Sequence, residues 1–341
     1  MVRVGIAGIG FMGKTHFGAY KQVEGAQVAA IFTRDRKKLE GDWTNVRGNF
    51  GGSGGVEDLS GVKRYDDLDA LLADPDIDLL DVCLPSSMHR EVGIRAMEAG
   101  KHVLVEKPIA LNVADADAMI AAADRTGRLL MVAQVLRFWP EFAAVKDILD
   151  GGQYGALRGA HFKRVISRPD WSGDDWFSDP EKTGGAVVDL HIHDTDFILY
   201  LLGKPAAVWS TGTLSDRGQV DYLVTEYQYP GKNVCVTAQS GAVAMKGLEF
   251  EHGYDVYFEH AMLRHNSSHT PTIEVYTADG AKHAHTPRIA DAFVAQLRSA
   301  VDGVTSGVLP DVIAAHSARN SLEVVLAEKE SARLARPVEL A

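Results

Sequence analysis

The apolar positions of residues 1–13 follow the period of a strand. Val2, Val4 and Ile6 alternate with other residues, and the run then breaks into Gly8-Ile9-Gly10-Phe11-Met12-Gly13. A segment that can be helical, Lys14 to Val23, comes next, and Gln27 to Phe32 reads as a second strand. Asp66 to Ala73 is a short helix, and Leu79 to Leu84 is an apolar run of buried-strand length. Glu91 to Ala99 is helical and stops at Gly100. His102 to Val105 is a strand, Asn112 to Thr126 an alanine-rich helix, and Leu129 to Val135 a sixth strand. Strands alternating with helices predict a doubly wound α/β sheet of Rossmann type over 1–137. Within it Gly41 to Gly61 is glycine-rich and reads as a flexible surface loop without chemistry.

The period then changes. A helix over Pro140 to Leu149 ends at Gly151-Gly152, and Gly159 to Ser167 alternates like a strand. Val208 to Tyr276 is mostly strand-like, with Pro230-Gly231-Lys232-Asn233 as a turn. A helix begins at Asp189. Ile289 to Val301 and Asp311 to Ala332 are amphipathic, the second expected to return to the first domain. Residues 138–341 therefore form an α+β domain with one large, open-faced, mostly antiparallel sheet.

Composition narrows the picture. A chain of 341 residues exceeds one ordinary core and agrees with two domains. Thirty-five Lys and Arg against 46 Asp and Glu leave a net charge of −11, with no basic block, which argues against nucleic acid or an anionic membrane as partner. Cys83 and Cys235 form no CxxC, and two buried thiols in a reduced compartment are expected. Met1 leads straight into the first strand, and no apolar run approaches ~18 residues, so a cytoplasmic protein is expected. Histidines 252, 260, 265, 269, 283 and 285 match no ligand spacing, and no metal is expected.

Candidate chemistry gathers at strand ends. Gly8, Gly10, Phe11, Met12 and Gly13 form G-x-G-x-x-G between a strand and a helix, the arrangement that holds a dinucleotide pyrophosphate. About 20 residues on, where NAD sites carry an acid for the ribose, stand Thr33 and Arg34, with Lys37 and Lys38 behind. A hydroxyl beside a guanidinium suits a 2′-phosphate, so the cofactor is NADP or NAD with a lean to NADP, Asp35 being an off-register acid. The strand at 79–84 runs into Pro85-Ser86-Ser87-Met88-His89, where ligands collect in such sheets, and the next ends in Glu106-Lys107-Pro108.

In the order GIAGIGFMG, CLPSSMH, AGKHVLVEKPIA, and then Leu130 to Pro140, the chain resembles the Gfo/Idh/MocA family of sugar and inositol dehydrogenases over nearly its whole length. The resemblance implies an NAD(P)-dependent oxidoreductase acting on a hydroxyl or carbonyl carbon of a sugar, inositol or polyol, and a homodimer or homotetramer built through the second sheet. Lys107 can hydrogen-bond a substrate hydroxyl and stabilise charge on its oxygen. After Gly184-Gly185, Asp189 and His193 stand four apart on one helix face, similar to the family's GG-x-x-x-D-x-x-x-H helix. That likeness makes His193 the acid/base and Asp189 its positioning carboxylate, with His191 on another face. Pro85, His89 and Glu106 are expected near the cofactor. Arg137, Trp139, Arg164, Trp171, Trp176 and the loop Arg168 to Thr183 are expected to set specificity. Two rival functions fit the same fold: an NAD-dependent glycosidase of this family, and a non-catalytic dinucleotide or sugar sensor.

Overall fold

The computed structural model describes residues 1–341 apart from 49–51, 53, 168–182, 186, 216–217, 249, 271 and 341. It divides into two compact units, residues 1–135 with 292–319, and residues 136–291 with 320–341. The first break falls at 135/136, where 137/138 was expected. The second domain is not continuous as expected, because 292–319 belongs to the first unit.

The first unit holds six parallel strands, β1 (Val2–Ala7), β2 (Ala26–Phe32), β3 (Lys63–Tyr65), β4 (Leu79–Val82), β5 (His102–Glu106) and β6 (Leu130–Ala133), in the order β3-β2-β1-β4-β5-β6. Helices α1 (Phe11–Tyr20), α2 (Arg36–Leu39), α3 (Leu68–Ala73), α4 (His89–Glu98) and α5 (Val113–Thr126) alternate with them. The apolar runs at β4 and β5 are explained by burial on both faces: Leu79, Leu80, Val82, Val103, Leu104 and Val105 are all inaccessible. Asn112 caps α5 by accepting the Asp115 N–H, and left-handed Gly127 ends it. Strand order reverses between β1 and β4, which opens a crevice at their carboxyl ends.

The glycine-rich stretch 41–61 is not a loose surface loop throughout. Trp43 is fully buried, meets Phe17 edge-on at 4.9 Å and donates its indole N–H to the Lys38 carbonyl. The glycines concealed an aromatic anchor.

The second unit is built on nine strands: β7 (Leu157–Ser167), β8 (Ala207–Leu214), β9 (Val220–Gln228), β10 (Cys235–Ala244), β11 (Glu251–Phe258), β12 (Ala261–Asn266), β13 (Ile273–Thr277), β14 (Lys282–Ala284) and β15 (Val338–Glu339). Their order is β14-β13-β12-β11-β7-β10-β9-β8-β15, antiparallel except for β7 beside β10. Period-two patterning sets its two faces. Val208, Tyr227, Val236, Ala160, Val256, Leu263 and Val275 are cross-strand neighbours and all buried. The neighbouring row on the other face is Trp209, Glu226, Thr237, His161, Asp255, Arg264 and Glu274. Helices α6 (Pro140–Gly151) and α7 (Ile192–Leu202) cover the apolar face, where Phe142 meets Phe197 edge-on at 5.2 Å. Cys235 is exposed and Cys83 only partly buried, so the two thiols are not both core residues as expected.

Helix α8 (Ala292–Ser306) lies in the first unit, and α9 (Ala315–Leu334) contains the division at 319/320. Among the described residues no helix is long and apolar enough to cross a membrane.

Candidate active site

In the first unit the glycine loop is set by close packing. Gly8 has φ +102°, and a Cβ on Gly13 would stand 1.9 Å from the Gly8 carbonyl oxygen, so a side chain is impossible there without moving the turn. Helix α1 begins with exposed Gly10 as its N-cap, no side chain caps it, and its first turn carries no acid. Its amide dipoles suit a diphosphate, and a Cβ on Gly10 would project into open space beside the loop. Phe11 and Met12 are half-buried. The residues fit the pyrophosphate of a dinucleotide.

At the end of β2, Thr33 is buried, its amide bonded to the Tyr65 carbonyl, and its hydroxyl accepts the Asp35 N–H. Arg34 is exposed. Asp35 turns its carboxylate back to cap α2 through the Lys37 and Lys38 amides. Arg34, Arg36, Lys37 and Lys38 thus gather at the strand end, while the nearest acid serves the helix.

Pro85 is exposed ahead of a single 3₁₀ turn at Ser86–Met88. His89, expected beside the cofactor, is 1% exposed. Its Nδ1 lies 2.9 Å from the Pro108 carbonyl and its Nε2 2.9 Å from that of Leu84, and burial lowers its pKa. As a neutral ring it can donate to only one of these two carbonyls, and it is buried between the end of β4 and the Pro108 carbonyl. Glu106 is likewise buried and accepts the Lys107 amide at 3.1 Å, so its carboxylate serves the turn itself. Lys107 is half-buried just past the carboxyl end of β5, one strand away from the reversal between β1 and β4.

In the second unit Gly184 has φ +79°, and a Cβ there would meet Val188 at 2.7 Å, while the Lys329 ammonium donates to its carbonyl. The chain then makes one wide π turn, Val187–His191, before α7. A helix was expected from Asp189. The wide turn begins two residues earlier, a kind of distortion frequent at functional sites. Among residues 187–198 only Asp189 and His193 keep partial exposure; every other one is buried.

Those buried neighbours form a polar network. His191 Nδ1 lies 2.7 Å from Ser240 Oγ and its Nε2 3.0 Å from Glu328, whose carboxylate also accepts from Thr195. Arg164 donates to both Asp194 oxygens at 2.8 and 3.0 Å, and Arg137 to both Asp196 oxygens at 2.8 and 2.6 Å. Both guanidinium groups are 4% exposed or less at the side chain. Expected as substrate groups, Arg137 and Arg164 hold the helix instead: burying a charge requires a paired partner, and each has one. Trp139 is half-buried, edge-on to His252 at 5.8 Å. Trp171, Trp176 and residues 168–182 lie outside the described residues; Thr183 is buried.

His16, Asp81 and Glu328 were not among the expected site residues. The signal for Asp81 was a lone acid inside the apolar run LLDVCL. His16, Asp81 and Cys83 bring their donor atoms within 4.8 Å of one another, and the His16 and Asp81 atoms are joined by a direct 2.8 Å hydrogen bond.

Six parallel strands with a glycine turn opening α1 at the reversal of strand order make a Rossmann-type sheet. Residues 2–134 match the oxidoreductase family with an NAD-binding Rossmann fold, and 142–281 match the GFO/IDH/MocA C-terminal domain, so the chain belongs to the Gfo/Idh/MocA family. It is 25% identical to the myo-inositol 2-dehydrogenase of Thermotoga maritima over 99% of this chain and 98% of that one. It is 28% identical to the levoglucosan dehydrogenase of Pseudarthrobacter phenanthrenivorans over 82% of this chain and 72% of that one. Its fold matches an oxidoreductase from Agrobacterium radiobacter, solved with NAD+, L-tartaric acid and magnesium, with TM-score 0.82 at 22% identity over 99% and 98% of the two chains.

Proposed function

We propose that this protein oxidises a secondary hydroxyl of a cyclic polyol or sugar, or reduces the corresponding ketone, with Lys107, Asp189 and His193 meeting the reacting group. The observation that carries the reading is the exposure pattern of 187–198: twelve successive residues leave only the expected Asp and His accessible. A purely structural helix start has no reason to spare those two. Kinship with an inositol and a levoglucosan dehydrogenase supports the substrate class.

A bound nicotinamide supplies the hydride acceptor or donor. The chain's residues do the rest. The glycine loop holds the diphosphate, and His193 Nε2 or Nδ1 takes the hydroxyl proton while Asp189 orients the ring. The Lys107 ammonium hydrogen-bonds the same oxygen and offsets the charge that develops on it. For the cofactor, the four cations at 34–38 and the inward-turned Asp35 favour NADP over NAD. The second sheet's outer face, with Trp209 and Tyr257 exposed, supports assembly of two or four copies through it.

The test is a panel of inositols, aldoses, ketoses and anhydrosugars offered with NAD or NADP, following reduced nicotinamide. Turnover that is lost in His193→Asn and Lys107→Met supports the reading. Hydrolysis of glycosides without net change in the nicotinamide would replace it with the glycosidase, and binding without turnover with the sensor.

A further inference from the structure

Helix α1 starts at the glycine loop and, one turn past Gly13, turns the His16 ring inward. His16 and Asp81 are fully buried and Glu106 nearly so. Nδ1 lies 2.8 Å from Asp81 Oδ2, a hydrogen bond, and Nε2 lies 3.2 Å from Glu106 Oε1, an ion-pair approach without hydrogen-bond alignment. Carboxylates only accept, so the Asp81 bond puts a proton on Nδ1, and the approach of the Glu106 carboxylate favours a second on Nε2. Burial, the largest single influence, lowers the pKa of such a ring, but the charge and hydrogen bond of Asp81 together with Cys83 raise His16 well above the usual histidine range. Every element around the ring contributes. Asp81 comes from β4 and Cys83 from the residue just past it, Glu106 from β5, Tyr20 from α1 itself, and the Phe293 ring from α8 at 6.1 Å. The cluster lies directly under the loop: a Cβ on Gly8 would strike the Cys83 carbonyl at 2.6 Å.

The second oxygen of Glu106 accepts the backbone N–H of Lys107. One imidazole therefore joins the helix that opens at the phosphate loop to the strand end that carries the lysine. We propose that His16 is a positioning residue: as an imidazolium between Asp81 and Glu106 it fixes the carboxylate that holds the Lys107 amide, and so sets where the Lys107 ammonium stands. This rests on the reading of Lys107 as the group that meets substrate. Two carboxylates facing each other across a neutral ring would repel and turn away, releasing the Lys107 turn.

The experiment uses the full chain labelled with ring-¹⁵N histidine and ¹⁵N lysine, observed by NMR between about pH 6 and 9, where an ordinary histidine loses its proton. One ring, absent in His16→Gln, is expected to stay doubly protonated throughout. In His16→Gln, which keeps size and one donor, the Lys107 amide signal moves and kcat falls about tenfold or more, while the cofactor Kd stays within about twofold. A neutral His16 ring overturns the proposal, as does a folded His16→Gln whose Lys107 amide and kcat match the parent. If that variant does not fold, Glu106→Gln, with the shape kept and the charge removed, is expected to show the same split between kcat and cofactor binding; unchanged kcat there also overturns it. A parent that turns over no polyol or sugar sinks the reading of Lys107, and the ring and amide signals still decide whether His16 holds the turn.

Discussion

Lys107 and Arg34 are the residues on which the account makes its sharpest demands. Lys107→Met keeps most of the side chain's length and removes the ammonium. It is expected to lower kcat about 100- to 1,000-fold, the scale of a lost transition-state donor, while cofactor affinity measured by fluorescence changes little. A loss confined to KM would make Lys107 a ground-state binding group. Arg34→Ala is expected to weaken NADP by roughly ten- to a hundredfold, a charge-assisted hydrogen bond's worth, and to leave NAD nearly untouched. Equal effects on both would remove the 2′-phosphate role. At this scale the sequence was readable where the backbone dictates the residue. Gly8 and Gly13 sit where no Cβ fits, and a local motif records that. It was unreadable where a partner far along the chain decides. Nothing near Arg137 or Arg164 announces Asp196 or Asp194, and nothing near His89 announces the Pro108 carbonyl.

The wide turn and helix that carry Asp189 and His193 depend on those distant partners. Their start is fixed by Gly184, by Lys329 on its carbonyl, and by His191 between Ser240 and Glu328. The flank is fixed by Arg137–Asp196 and Arg164–Asp194. Removing one partner of such a pair strands a buried charge, so Asp196→Ala is expected to destabilise the protein by about 3–5 kcal/mol in chemical unfolding. Ser321, which donates to the same carboxylate, would lose its partner too. A cost near zero would mean that water reaches the site. The helix itself was legible from its apolar spacing. The π turn over Val187 to His191 was not.

For the whole molecule, pH enters through buried histidines. Burial, then Arg164, then His265 push His252 down to about 2, and burial also lowers His89 and His265. These rings stay neutral in the folded chain and take a proton when unfolded. Their share of stability is full above about pH 6.5 and is lost as pH falls, by roughly 1.4 kcal/mol per pH unit for each group until its folded value is reached, for His252 near 2. His16 has the opposite sign. Its raised value adds stability that is full below about pH 6.5 and is lost only as pH climbs through the folded value. His252→Phe is expected to flatten the acid limb of the melting temperature between about pH 6 and 4; an unchanged slope would mean that the ring is hydrated. The parallel sheet and the two-unit plan were readable at this scale, since periodicity and length carry them. The return of 292–310 to the first unit was not, because an amphipathic helix records that it is buried but not against what, and the return expected of Asp311 to Ala332 extends only to Arg319.

The most direct test is single-turnover oxidation of myo-inositol and of anhydrosugars by the parent protein and His193→Asn, each saturated with its preferred dinucleotide, across a range of pH. Stoichiometric reduced nicotinamide is expected from the parent, and a rate at least about a hundredfold lower from His193→Asn. Equal rates in the two proteins across that range would contradict this.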